Sequence, residues 1–156
     1  MKKLLSLILL STSALATENL NLKYGFGIWQ SGRSYYVDLD YQKPFYHSLN
    51  YLYACGSWID QSGNVNQSSS MFCHGSLGVK VELTKHYFES MHGVGFISNA
   101  DRLLGGNFQF FHDVGFGVKD LYGFSLGLGF KHASSAGIEK PNIGRNFLLI
   151  KVGYPL

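Results

Sequence analysis

The chain has 156 residues, room for one domain, and sets 13 Lys and Arg against 10 Asp and Glu, for a formal net charge of +3. That excess is too small to argue for a nucleic-acid partner, and no basic tract or recognition module accompanies it. Twelve Phe, ten Tyr and nineteen Gly among few charges are unusual for a soluble domain. They fit strands with aromatics on one face and small or polar residues on the other.

The first sixteen residues read as a secretory leader, separate from a barrel domain over 17–156. Lys2 and Lys3 precede the short apolar run Leu4 to Leu10, and Ala14-Leu15-Ala16 supplies a small-x-small cleavage pattern. The run is too short to span a bilayer as a helix. No Cys follows the cleavage point, which argues against a lipoprotein anchor.

Beyond the leader the signal is period-two alternation, because a strand sends successive side chains to opposite faces. Leu22, Tyr24, Phe26 and Ile28 alternate with Lys23, Gly25 and Gly27. Tyr35, Val37, Leu39 and Tyr41 alternate with Tyr36, Asp38, Asp40 and Gln42. Residues 48–60 are noisier but compatible with a strand. Leu77, Val79, Val81 and Leu83 alternate with Ser76, Gly78, Lys80 and Glu82, and residues 88–97 are again noisy. Phe108, Phe110, Val114 and Phe116 alternate with Gln109, Asp113, Gly115 and Gly117. The clearest segment sets Tyr122, Phe124, Leu126, Leu128 and Phe130 against Gly123, Ser125, Gly127, Gly129 and Lys131. Leu148, Ile150, Val152 and Tyr154 close the series against Leu149, Lys151 and Gly153.

That makes eight strands, and the expected fold is all-β: an eight-stranded antiparallel transmembrane β-barrel. Glycines on the inner face suit a crowded lumen. The inner set also carries Asp38, Asp40, Glu82 and Asp113 against Lys23, Lys80, Lys131 and Lys151. Opposite charges pair inside a lumen, whereas isolated ones are costly facing lipid. The rival is a soluble β-sandwich with charged solvent faces.

The connections favour the barrel. Residues 61–70, 98–106 and 133–144 form three longer external loops, with a tight external turn at Ser31 to Arg33. Short periplasmic turns fall near Pro44, Thr84 to Tyr87 and Asp120. Long outside and short inside is the bacterial outer-membrane pattern of a multi-pass barrel. Such barrels commonly end in an aromatic; this chain has Leu156, with Tyr154 two residues earlier. Cys55 and Cys73 lie almost symmetrically about the polar stretch Gln61 to Ser70, so they meet on adjacent strands, as a disulfide or as two thiols. No Cys or His pair has metal-ligand spacing, so no metal is expected. The Gly-x-Gly pairs do not continue into a nucleotide-binding fingerprint.

Chemistry concentrates in the last hairpin. Strand parity puts His132 on the outward face, with Ser134 two residues on, and Asn146 shares the outward register of Leu148 and Ile150. Three polar groups therefore meet lipid or headgroups at the external end of one hairpin, a costly arrangement without a use. An imidazole near a hydroxyl suits acyl transfer, and a third group on the other ring N–H fixes the tautomer. His112, outward on the neighbouring strand, is a candidate supporting residue. His47, His74, His86 and His92 read as interfacial or lumen residues.

The stretch His132-Ala133-Ser134-Ser135-Ala136-Gly137, followed by Pro141-Asn142-Ile143-Gly144 and Asn146, resembles the C-terminal signature of the lipid A 3-O-deacylase (PagL) family. The close match covers this hairpin, about a tenth of the chain. The resemblance implies an outer-membrane ester hydrolase with Ser134 as nucleophile and His132 as general base, acting without metal or organic cofactor. Two positions depart from the family pattern. Asn146 stands where Glu is usual, with Glu139 in the loop as a possible stand-in. Ser135 stands where an Asn is thought to help hold the oxyanion, leaving a Ser135 donor or the Gly137 N–H for that task.

Arg33, Arg102, Lys140 and Arg145 lie in or beside the external connections. They are candidates for the phosphates of lipid A, or for general contact with lipopolysaccharide. The implied partners are lipid A and outer-membrane lipids, with no nucleic acid. The oligomeric state is left open, a homodimer among the readings. The rival functions are a non-catalytic barrel (structural, adhesive or lipopolysaccharide-binding) and a phospholipase.

Overall fold

The computed structural model describes residues 18–31, 33–61, 69–101 and 103–156. The expected leader, most of the loop after Asp60, and Arg102 lie outside them. Eight strands follow in order: β1 Asn19–Ile28, β2 Ser34–Tyr46, β3 Leu49–Asp60, β4 Ser70–Leu83, β5 His86–Ile97, β6 Phe108–Leu121, β7 Phe124–Ser134 and β8 Arg145–Pro155. Each pairs antiparallel with the next, and β8 pairs back onto β1. Closure satisfies every strand edge, the condition for crossing lipid without helices.

Alternation in sequence becomes alternation in burial. Along β2, Tyr36, Asp38 and Asp40 are buried while Tyr35, Val37 and Leu39 are exposed. On β7 and β8 the outward row is Phe124, Leu126 and Leu128 beside Leu148, Ile150, Val152 and Tyr154, all exposed. An inside-out pattern of this kind, apolar outside and charged inside, rules out the sandwich reading.

The lumen is filled in two layers. Towards the external mouth, Tyr36, Trp58, Phe72, Phe111, Phe147 and Leu149 pack together, and Leu103 and Leu104 from the 98–107 loop join them. Deeper, charges pair as expected: Lys23 with Asp113 at 2.5 Å and Asp40 at 3.1 Å, and Lys131 with Asp38 at 2.8 Å. Lys80 and Lys119 flank Glu82, and Lys151 meets Glu89 at 2.7 Å. Glu89 comes from a strand whose alternation was noisy in sequence. Pairing offsets the cost of removing these charges from water. Tyr87 lies across Gly117 and Gly127, where any Cβ would collide with it. That accounts for two of the paired glycines without a nucleotide.

Two details differ from expectation. Pro44 lies inside β2, at an irregularity in the β2–β3 ladder between Pro44 and Tyr46, and the turn comes at His47 and Ser48. A residue without an N–H is tolerated where the ladder is already broken. Asp120 belongs to β6 beside an irregular register, and the β6–β7 turn is made by Tyr122 and Gly123. Tyr122 is therefore a turn residue, 95% exposed, and not the first of the β7 outward row. Cys55 and Cys73 face each other directly across β3 and β4 and are joined as a disulfide.

Candidate active site

The site is assembled by register. His92 on β5, His112 on β6, His132 on β7 and Asn146 on β8 are successive partners, so one row crosses four strands on the outer wall. The row lies near the external ends of β7 and β8. Ser134, two positions beyond His132 and the last residue of β7, pairs with Phe110.

His132 Nδ1 stands 2.8 Å from Asn146 Oδ1. The amide oxygen accepts, so Nδ1 carries the proton and Nε2 keeps its lone pair. Among the described residues Nε2 makes no hydrogen bond. Asn146 is fixed in turn by its backbone N–H, which donates to Ser31 Oγ at 2.6 Å. Ser31 belongs to the short 3-10 turn Trp29–Ser31. That turn therefore positions the orienting amide, a task the sequence did not reveal.

The loop after β7 is shaped by the signature residues. Asn142 Oδ1 accepts the Ser135 N–H at 2.8 Å, and Ser135 Oγ donates to the Glu139 carbonyl at 3.0 Å. Both donors of Ser135 are thus committed to holding the loop. Ala136 and Gly137 adopt positive φ of 53° and 82°. Among the described residues no hydrogen bond engages the Gly137 N–H, and nothing lies within 4 Å of the Cβ it lacks. Gly144, at φ 84°, backs directly onto the His132 ring. The N–H groups of Ile143 and Gly144 both donate to Leu103 O, which ties this segment to the 98–107 loop.

Asn146, not Glu139, meets His132; the Glu139 carboxylate lies against Gly106 in the neighbouring loop. Of the four expected basic contacts, Arg33 and Lys140 are exposed and Arg102 lies outside the described residues. Arg145 is fully buried. Its guanidinium pairs with Asp101 and donates to Ser34 Oγ at 3.0 Å, with Asp60 at 3.5 Å and the Trp58 ring beneath. Arg145 is a lumen residue that anchors the loops, and it is not placed to meet a phosphate. Parity carried this signal, since Arg145 precedes outward Asn146.

Apolar walls surround the site. Trp29, 72% exposed, packs edge-on against Phe130, one outward position below His132. Phe108 and Phe110 pack together on the other flank. Further toward the short-turn end of the barrel, Phe116, Val118, Leu126, Leu128, Ile150 and His86 line a groove of about 500 Å³.

Comparison with known proteins agrees with this architecture. The family described as lipid A 3-O-deacylase (PagL) matches residues 18–155. The chain belongs to that family. The crystal structure of the outer membrane enzyme PagL superimposes with a TM-score of 0.66 at 20% identity, covering 88% of this chain and 99% of that one. The Yersinia pestis outer membrane protein Ail, in a phospholipid bilayer nanodisc, aligns with a TM-score of 0.54 at 9% identity, covering 90% and 100%. At these identities both likenesses speak for the fold alone. No curated protein matches the sequence significantly. Membership in the lipid A 3-O-deacylase family makes ester hydrolysis the reaction against which the row is to be judged.

Proposed function

We propose that the chain is an outer-membrane serine esterase that removes the ester-linked 3-O-acyl chain of lipid A. One observation carries the reading: an imidazole oriented by Asn146, with a free Nε2, has the same strand parity on β7 as Ser134 two residues on, which is buried at the external end of the strand. Alternate residues on a strand lie about 6.5–7 Å apart at Cα, so a rotamer change brings Oγ to Nε2. No hydrogen bond joins them in the free protein, and such bonds commonly tighten only on substrate.

In this reading Ser134 Oγ attacks the ester carbonyl while His132 Nε2 takes its proton. Asn146 Oδ1 keeps the proton of Nδ1 directed away from the reaction and steadies the imidazolium that forms. The Gly137 N–H is the free donor for the oxyanion, because Ser135 is spent on the loop. His132 then returns the proton to the departing sugar oxygen, and water releases the fatty acid from Ser134 by the same route in reverse. Arg33 and Lys140 are the exposed cations available to phosphates. The groove below Phe130 accepts the acyl chain, and a lipid reaches it by lateral diffusion.

The test is mass spectrometry of lipid A and phospholipids from cells with and without the protein, repeated with Ser134→Ala and His132→Ala. Loss of one 3-hydroxy fatty acid from lipid A only with the unaltered protein is expected. Fatty acid released from phospholipids instead would make it a phospholipase. Unchanged lipid A would leave a non-catalytic barrel, and full activity in either variant would remove the mechanism.

A further inference from the structure

The row on the outer wall holds two imidazoles that the proposed hydrolysis does not use. His92 and His112 are register partners on β5 and β6, both exposed on the outward face. Their Nδ1 atoms stand 2.8 Å apart, with ring planes at 63°. Two imidazoles directed nitrogen to nitrogen share one proton, or one cation. Two nitrogens bound to a single tetrahedral Zn²⁺ at about 2.0–2.1 Å are themselves about 3.3 Å apart, so a parting of about half an ångström admits the ion.

The outer shell is also present. His92 Nε2 lies 3.0 Å from Ser90 Oγ. With the hydroxyl accepting, Nε2 carries the proton and Nδ1 presents its lone pair to the site. A ligating histidine usually gives its second N–H to an oxygen in this way, which fixes tautomer and ring orientation.

We propose that His92 and His112 form a two-imidazole site for a borderline divalent transition metal, Zn²⁺ above all, on the membrane-facing wall. Nitrogen ligands discriminate against Mg²⁺ and Ca²⁺, which prefer oxygen. Among the described residues no group of three or more His, Cys, Asp or Glu is placed to hold an ion together. Water or a lipid oxygen therefore completes the shell, and binding is reversible. The sequence gives no hint of the site, because its ligands are twenty positions apart and only the β5–β6 register joins them.

The site adjoins the candidate base. The His112 ring is roughly parallel to that of His132, with centroids 6.1 Å apart. A dication on His112 opposes the positive charge that His132 must take up during catalysis. Resting on the esterase reading, the consequence is that Zn²⁺ inhibits.

The test titrates Zn²⁺, with Mg²⁺ as control, into the tag-free mature barrel in detergent micelles by calorimetry, with folding checked by heat-modifiable electrophoretic mobility. One saturable Zn²⁺ site is expected, with no Mg²⁺ binding there. The site should weaken at least tenfold in His92→Ala and in His112→Phe, weaken about tenfold in Ser90→Ala, and persist in His132→Ala. Ser90→Ala keeps both ligands and serves if a ligand variant does not fold. Absence of a saturable site, binding indifferent to His92 and His112, or loss in His132→Ala would each overturn the proposal. Zn²⁺ that binds at His92 and His112 without slowing hydrolysis would overturn its inhibitory part.

Discussion

Gly144 forms the floor beneath His132: a Cβ there would overlap imidazole Cε1 and stand 3.1 Å from Nε2. Its φ of 84° also disfavours any L side chain. Gly144→Ala must therefore displace either the ring or the Leu103-bound segment. A shift of about 1 Å at a reacting group costs about 100-fold in rate. We expect kcat to fall by that order while the barrel still folds, as read from steady-state deacylation and heat-modifiable mobility. Wild-type kcat in this variant would show that the ring is not held from behind.

In the proposed mechanism Asn146 acts through one oxygen, which stands 2.8 Å from His132 Nδ1. Asn146→Leu keeps the branched heavy-atom shape but removes the acceptor at 2.8 Å, so His132 loses both tautomer and orientation. The expected loss in kcat is about 100-fold, the low end of what a positioned general base contributes. Asn146→Glu restores the family's usual residue and adds charge beside the imidazolium, so kcat should rise. A rise with Leu, or no change with either substitution, would place the orienting group elsewhere.

Arg145 separates lumen anchoring from phosphate binding. Arg145→Met strips Asp101 of its guanidinium inside the mouth. Breaking a buried pair from one side costs about 3–5 kcal/mol, so the midpoint of urea unfolding should fall sharply. The ratio of KM for lipid A with two phosphates to KM with one should not move. Arg33→Ala and Lys140→Ala should move that ratio and leave stability nearly unchanged. A shift of the ratio with Arg145→Met would return that residue to the phosphate site.

The disulfide lies on β3 and β4, across the barrel from the hairpin of β7 and β8. It closes a span of eighteen positions, for which chain entropy predicts about 3 kcal/mol. Cys55→Ser with Cys73→Ser should lower unfolding stability by that order without altering kcat. Equal stability in urea would mean that barrel closure alone restrains those strands.

Strand number, face and charge pairing were legible because a period of two depends on nothing beyond neighbouring residues. Tyr36, Asp38 and Lys131 could be placed inside from parity alone. Register was not legible, since it accumulates through every turn and irregularity around the barrel. Hence parity alone does not separate a disulfide from two thiols, whereas the direct pairing of Cys55 with Cys73 does. His92 read as an interfacial or lumen residue, because nothing local ties it to His112 on the outer face. The loop contacts were hidden for another reason: Leu103 O and Asn142 Oδ1 act through a folded backbone that no periodicity describes. Arg145 was a different case, where parity pointed inward and proximity to a loop suggested the rim.

Adjacent residues on β7 test whether wall and lumen are separable. His132 faces out, while Lys131 faces in and meets Asp38 at 2.8 Å and Asp113 at 3.3 Å. Lys131→Met leaves Asp38 to the Tyr36 hydroxyl alone, and its Oδ1 already lacks a partner among the described residues. A buried carboxylate without its cation costs about 3–5 kcal/mol. Replacing Asp38 by Leu in the same chain removes that carboxylate and should recover most of the loss. Activity per folded molecule should stay constant throughout, because the lumen partners of Lys131 do not touch the outer row. The measurements are urea unfolding by tryptophan fluorescence and kcat normalised to the folded fraction. A fall in kcat that follows the stability loss, and is restored by the second substitution, would mean that lumen packing sets the position of His132 through the strand itself.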